Sequence, residues 1–316
     1  MHTEDSKIFP FQISEQNLWG FPWFDSRFYF NVNGLKPAWI PKSLLTTPLI
    51  QDLLKHRSVS NYLRSKKIPL IRKNFIRLKH QYFHLRLTHD FPLWFSLYAH
   101  LYLTEDDYTT AITLNKAQQT LFRKIEYLSF KKEPIRLFVT ALPKSGISSG
   151  IRLFSLWKQL VSLPGIYSLN ISSDSKKAKN LYTLTKFFLN KYFTGNGVLN
   201  KNPRCASVPF SVLSLYKSIL RVNPTKSLFR FSSNSNPYDL HGFDYNLVHL
   251  EDIDAWKCNY TLAKQNLISA TSGIFYRPET MIIIESSKKL NTEFFNDEFI
   301  FAQKGYCLSQ LLVIDE

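Results

Sequence analysis

Glycine is scarce, at 10 residues in 316, which argues against a repetitive or low-complexity chain. No internal repeat is visible. Cysteine is scarcer: Cys205, Cys258 and Cys307 stand far apart, without CxxC or Cys/His spacing, and read as ordinary reduced thiols of a cytosolic protein. Long apolar runs are also missing. The longest such stretch, Phe91 to Leu103, is too short and too interrupted to span a bilayer. The first residues, MHTEDSKIF, carry two acids and no apolar segment, which excludes a secretory signal. A soluble, cytoplasmic protein without a membrane partner is expected.

Carboxylates are under-represented too, 24 against 40 Lys and Arg, for a net charge of +16. A surplus this large favours a polyanionic partner, because neutralising phosphates releases counterions. The surplus is uneven. Between Leu53 and His89 stand Lys55, Arg57, Arg64, Lys66, Lys67, Arg72, Lys73, Arg77, Lys79 and Arg86 without one carboxylate, bracketed by Asp52 and Asp90. Basic side chains interleaved with Tyr82, Phe83 and Phe91 can grip a nucleic-acid backbone. The same aromatics can equally anchor the block to a core. With 44% hydrophobic and 15% aromatic residues the chain can bury a sizeable core.

Residues 1–45, rich in aromatics and proline, read as an extended segment packed on a larger body, and residues 48–103 as short helices. The resulting division is a basic, aromatic N-terminal region over 1–103 and a second domain over 104–316. From about Thr110 strands and helices alternate. Ile135–Leu142 is a continuous apolar run followed by the turn PKSG and a helix over Ile151 to Leu163. Gly165–Ser172 is a second strand, followed by Asp174 as an N-cap and another helix. Further strands are expected at Ser227–Ser233, Asn246–Asp252, Met281–Ser287 and Gln310–Asp315. Several are apolar on both faces, as buried strands of a parallel sheet must be. The expected fold is α/β, a mostly parallel sheet with helices on both faces.

In such sheets ligands sit beyond the carboxyl ends of the strands, and three strand ends carry small or acidic polar residues. The first is ALPKSGISSG. Its spacing resembles a phosphate-binding loop, GxxxxGK[ST], whose backbone amides wrap phosphates and whose hydroxyl binds Mg²⁺. Here Ala141 replaces the first glycine and Ile147 the lysine, while Gly146 and Ser148 keep their places and Lys144 lies within the loop. The second is NLVHLEDIDAW, where Glu251-Asp252 pairs a metal-holding acid with one that orients the attacking water. Asp254 adds a third acid, so the roles within the cluster are not unique. The third is MIIIESSKK, delivering Ser286 and Ser287 as sensors of a γ-phosphate. The order of the three ends is that of an ATPase whose sheet inserts an extra strand beside the phosphate-loop strand.

At this level the chain resembles the ATPase domain of tailed-phage large terminases, over roughly Phe91 to Glu316. PKSGIS (Pro143–Ser148) is similar to the family's deviant loop RQxGiS, VHLEDIDAW (Val248–Trp256) to its acidic strand followed by Trp, and IIIESS (Ile282–Ser287) to its third motif. LNKAQQTLFRKIE (Leu114–Glu126) resembles its glutamine-bearing adenine segment, with Gln118 as the match. Ser232–Gly242 resembles a loop that ends in Arg-Gly in the family and in His241-Gly242 here. Pro143 stands at the family's arginine, and Glu251-Asp252 inverts its common Asp-Glu order.

The resemblance implies a P-loop NTPase-like fold that takes ATP and Mg²⁺ and drives double-stranded DNA into a capsid. Lys144, Ser145, Gly146, Ile147, Ser148 and Ser149 would hold the phosphates, Ser148 and Glu251 the metal. Glu251, Asp252 and Lys144 would be the catalytic groups, and Ser286 and Ser287 would report loss of the γ-phosphate. A portal protein, a small terminase subunit, a homo-oligomeric ring and a bacterial host cytoplasm are implied likewise. Because the sequence stops at VIDE, the family's C-terminal RNase H-like nuclease is expected to be absent or encoded separately. Two other readings stay open: a degenerate, non-catalytic P-loop protein that only binds nucleic acid, and a basic structural protein that coats it.

Overall fold

The computed structural model describes residues 20–103, 112–194, 211–216, 218–235, 244–256, 259–287, 293–304 and 310–314. The three cysteines and the His241-Gly242 pair lie outside the described residues. The chain divides into two compact units, Met1–His100 with Asp106–Leu114, and Leu101–Glu105 with Asn115–Glu316. Among the described residues no helix is long and apolar enough to cross a membrane.

The first unit begins with an antiparallel hairpin, β1 (Arg27–Phe30) on β2 (Ala38–Pro41). The helices α1 (Pro48–His56), α2 (Val59–Ser65), α3 (Arg72–His89) and α4 (Phe91–Tyr98) follow. Proline starts α1, where no intrahelical N–H is needed. Ser58 caps α2 by accepting from the Asn61 amide at 3.0 Å. The hairpin contributes Phe30, Ala38 and Ile40 to one core with Leu44, Ile50, Leu53, Leu63 and Leu78. The N-terminal aromatic segment is therefore partly strand, and α3, at 18 residues, is longer than the short helices expected.

Asp90 caps α4 and is fully buried between Arg27 (3.0 Å) and Arg86 (2.9 Å). Burial alone would raise its carboxyl; the two guanidiniums outweigh that and hold it below the usual carboxylate range. Tyr82, Phe83 and Phe91 are buried, so these rings anchor the block to the core rather than face a ligand. Nine of the ten basic residues between Leu53 and His89 are exposed, Arg86 being the exception.

In the second unit, α5 (Lys116–Phe130) precedes an eight-stranded sheet of order β10-β3-β9-β8-β4-β7-β6-β5. Its strands are β3 (Ile135–Ala141), β4 (Tyr167–Ser172), β5 (Ser211–Leu215), β6 (Ile219–Asn223), β7 (Ser227–Ser233), β8 (Leu247–Leu250), β9 (Met281–Ser286) and β10 (Gln310–Ile314). Neighbours from β10 to β7 run parallel, and β6 and β5 close one edge antiparallel. Residues of β3, β8 and β9 are buried throughout, which accounts for their unbroken apolar sequences. β5 and β6 were not expected; β5 is largely exposed, and without a buried face its sequence carries little apolar signal.

Four helices connect the parallel strands: α6 (Ile147–Trp157, extended by a π-helical turn over Lys158–Ser162), α7 (Ser175–Thr194), α8 (Tyr260–Thr271) and α9 (Glu293–Lys304). The crossovers through α6 and α7 advance along the sheet in one direction, those through α8 and α9 in the other. With the right-handed rule this sets the two pairs on opposite faces. β3 thus leads to one face and its neighbours β9 and β8 to the other, opening a crevice at their carboxyl ends. β9 is the inserted strand between the loop strand β3 and the acidic strand β8. This is a P-loop-like α/β fold.

Candidate active site

The turn after β3 is shaped by two backbone conformations. Gly146 (φ +77°) and Lys144 (φ +66°) are both left-handed. At Gly146 a Cβ would come 3.0 Å from Gln118 Nε2, a tight approach added to the left-handed backbone that itself favours glycine. Gly146 is also the residue from which α6 starts, and the amides that follow have the orientation that binds anions at a helix N-terminus. Ile147 is 1% exposed and sits in the core. Its side chain can supply no charge, and its contribution to an anion is its backbone amide.

From β3, β8 and β9 the predicted residues meet in one cavity of about 840 Å³. It is lined by Lys144, Ser145, Gly146, Ile147, Ser148 and Ser149 of the loop, by Glu251 and Asp252, and by Ser286 and Ser287. Gln118 does not line it. Its Oε1 accepts from the Asn115 amide (3.1 Å) and its Nε2 donates to the Gly146 carbonyl (2.9 Å), in a capping box that buttresses the loop from below. Adenine contact by Gln118 would require those bonds to be given up. Asn115 adds a bond from Nδ2 to the Ser145 carbonyl, 2.8 Å.

Four further charged residues line the same cavity: Asp254, the third acid of its cluster, Glu285 of the third strand end, and Arg152 and Lys177, which the sequence did not single out. Arg152, one turn into α6, donates to Glu251 Oε1 and lies 3.4 Å from the Tyr102 hydroxyl. Burial would lower the guanidinium, and the Tyr102 and Glu251 oxygens more than reverse it. The Arg152–Glu251 pair uses one atom of each fork: Arg152 Nε and Glu251 Oε2 are buried without a hydrogen-bond partner. Lys177, in the first turn of α7, donates to Asp252 Oδ2. Burial pulls its ammonium down, and Asp252 holds it above its ordinary range. Asp174 caps that helix as expected, accepting from the Lys177 amide at 2.8 Å.

The third strand end is wired to the first. Ser148 Oγ donates to Glu285 Oε1 at 2.6 Å, and Glu285 Oε2 lies 2.9 Å from His249 Nε2 on β8. A carboxylate partner requires that nitrogen to carry the proton; Nδ1 is buried without a partner. A serine hydroxyl has one proton and two lone pairs. Donating the proton to Glu285 fixes the rotor and leaves the lone pairs for a metal ion. Ser287 is held by Asp254, through its amide (3.3 Å) and hydroxyl (2.8 Å). The Trp256 indole donates to the Glu251 carbonyl at 3.1 Å and stacks on Phe294, so the tryptophan of this motif fixes the acidic turn. Asp252 itself is left-handed (φ +47°), a conformation aspartate tolerates better than most residues.

The residues fit a magnesium-bound phosphate chain. Ser148 offers lone pairs and Glu251 an unpartnered oxygen, and among the described residues no cluster of three or more His, Cys, Asp or Glu forms a protein cage. Magnesium held by one or two protein oxygens takes its remaining ligands from phosphate and water.

No protein-family model matches the chain, and no curated protein matches it significantly. Solved structures that resemble it include a mutant of the large terminase ATPase domain of Thermus phage P74-26, at 14% identity and TM-score 0.42, over 64% of this chain and 80% of that one. The large terminase of bacteriophage HK97 is similar at 12% identity and TM-score 0.47, over 69% of this chain and 43% of that one. A large terminase of a thermophilic bacteriophage in complex with ADP is similar at 12% identity and TM-score 0.36, covering 64% and 45%. All three are phage large terminases. This chain spans less than half of the latter two. At such identities the fold rests on the strand order and not on the likeness.

Proposed function

We propose that the chain is an ATP hydrolase of the DNA-packaging kind, the motor of a large terminase that moves double-stranded DNA into a capsid. The loop amides from Lys144 to Ser149 bind the phosphates, with Lys144 adding charge. Ser148 and Glu251 would hold Mg²⁺, which would neutralise charge on the phosphates. Asp252 orients the attacking water and Ser286 and Ser287 sense the γ-phosphate. Catalysis of this type is positioning and electrostatic stabilisation by groups fixed beforehand. The supporting observation is the convergence of three strand ends, distant in sequence, on one cavity at the carboxyl edge of β3, β9 and β8. The nine exposed cations between Leu53 and His89 supply a surface for DNA phosphates. A portal protein, a small subunit and a ring of copies around DNA complete the reading.

The test is steady-state ATP hydrolysis with double-stranded DNA. Wild type turns over and Asp252→Asn loses most of its rate; equal rates would overturn the assignment of Asp252. One observation favours a second reading, a degenerate P-loop protein that binds nucleic acid without hydrolysis: Ile147 is buried at the lysine position, and both strand-end acids are engaged by cations. That protein shows no affinity for Mg-ATP by calorimetry, and its DNA binding is indifferent to ATP.

A further inference from the structure

The loop lacks a lysine at Ile147, yet a second lysine reaches the same cavity from another element. Lys177 lines it together with the loop, and its ammonium pairs with Asp252. The side chain is 40% exposed and its partner 25%, so the pair sits at the cavity wall with room to change partner. Its position on α7 is electrostatically unfavourable. The first turn of this 20-residue helix contains no acid, whereas Ser175 is followed by Lys176 and Lys177. Cations at a helix N-terminus are disfavoured by the macrodipole, a cost that the Asp174 cap offsets in part. The ammonium is therefore a positive charge at the wall of the phosphate loop's cavity.

Charge balance in the cavity gives that charge a task. Its lining carries Lys144, Arg152 and Lys177 against Glu251, Asp252, Asp254 and Glu285, one more acid than base. A triphosphate entering that lining gains most from a cation that turns from a carboxylate to it. Arg152 is the less able to turn: its side chain is 13% exposed and also held at Tyr102. Resting on the nucleotide-binding reading above, we propose that Lys177 is the phosphate-binding lysine of this site, taking the place of the residue that Ile147 is not, and that Asp252 holds its ammonium until a triphosphate displaces the carboxylate. The exchange couples the two halves of the site. Binding the phosphate frees Asp252 to face water, so the acid is unmasked only when there is something to hydrolyse.

The experiment measures binding of Mg-ATP by calorimetry to the full chain and three variants, each checked for folding by thermal denaturation. Lys177→Met weakens binding about tenfold or more, about 1.4 kcal/mol, and Lys177→Arg stays within about threefold of wild type. Asp252→Asn, which removes the competing carboxylate, tightens binding several-fold. A lysine with only a structural role does not produce that tightening. Lys177→Met with wild-type affinity, or Asp252→Asn with weakened affinity, overturns the proposal while leaving the nucleotide site intact. If wild type binds no Mg-ATP at all, the functional reading fails first and the proposal with it.

Discussion

Glu285 joins the phosphate loop to the acidic strand, and removing its charge while keeping its shape tests whether that junction matters. In Glu285→Gln the side chain still fills its place, 6% exposed between β3 and β8. An amide cannot accept at both ends. If its oxygen keeps the Ser148 hydroxyl, its N–H₂ faces His249 Nε2, and the imidazole must move its proton to Nδ1, which is buried without a partner. If the amide turns round, His249 is satisfied and Ser148 loses its acceptor. Either arrangement strands one buried polar group, at about 1–3 kcal/mol. For a domain of this size each kcal/mol lowers Tm by about 2–4 °C. Glu285→Ala removes both bonds and strands both Ser148 and His249, at about 1–3 kcal/mol each. The second consequence is functional. Without a fixed acceptor the Ser148 rotor is free, so Glu285→Gln weakens nucleotide binding in the presence of Mg²⁺ and much less in its absence. Urea denaturation and calorimetry with and without Mg²⁺ read both effects. A Glu285→Gln protein as stable as wild type, with unchanged metal-dependent affinity, would refute the relay.

Asp90→Ala leaves Arg27 and Arg86 buried without their shared anion and destabilises the first unit by about 3–5 kcal/mol, read by urea denaturation. Because the Asp90 carboxyl is held below its usual range, its contribution is complete above the unfolded value near pH 4 and is lost as pH falls through the folded one; Asp90→Asn flattens that acid limb. Lys158, over the rings of Phe154 (5.6 Å) and Trp157 (5.2 Å), is pushed down by burial to about 8. A lowered lysine means that the unfolded chain binds the extra proton, so stability rises with pH from about 8 to about 10.5. Lys158→Met removes this slope and stabilises the protein at neutral pH by at most about 3 kcal/mol, measured by denaturation at pH 7 and 10. Gly146→Ala forces a Cβ into the left-handed region and against Gln118, costing about 1–2 kcal/mol in backbone strain alone and weakening Mg-ATP binding; an alanine variant that binds as wild type would remove the loop from the site.

The parallel core was legible because burial on both faces writes an unbroken apolar run. Ser227–Ser233 agrees with its strand at both ends, and Ile135–Leu142, Met281–Ser287 and Gln310–Asp315 overrun theirs by one residue. β5 lacks that signal, and the hairpin at Arg27–Pro41 is masked by tryptophan and proline that serve packing and turns. In the site, motif residues sit at strand ends and could be read from order. Arg152 and Lys177 lie inside helices among many basic residues, with nothing local to distinguish them; only the register of α6 and α7 on the sheet aims them inward. Gln118 shows the converse. Its sequence context resembles an adenine-binding segment, while the same Asn-x-x-Gln spacing makes a capping box whose side chain holds the loop.

The partners of the acids in the cavity fit one rule. Glu251 has Arg152, Asp252 has Lys177, Glu285 has Ser148 and His249, and Asp254 has Ser287. Four carboxylates in so small a volume would repel one another, and each of these contacts removes part of that cost. It follows that a nucleotide cannot simply add to the site. A phosphate oxygen that takes Arg152 or Lys177 must release an acid, and each released acid needs a metal ion, a water or another donor. Affinity for the triphosphate is therefore partly a difference between two sets of ion pairs, and substituting Asp252, the acid that competes for Lys177, should raise it where substituting Lys177 lowers it. That opposition of sign separates a site built for exchange from an acidic pocket that happens to lie beside a loop.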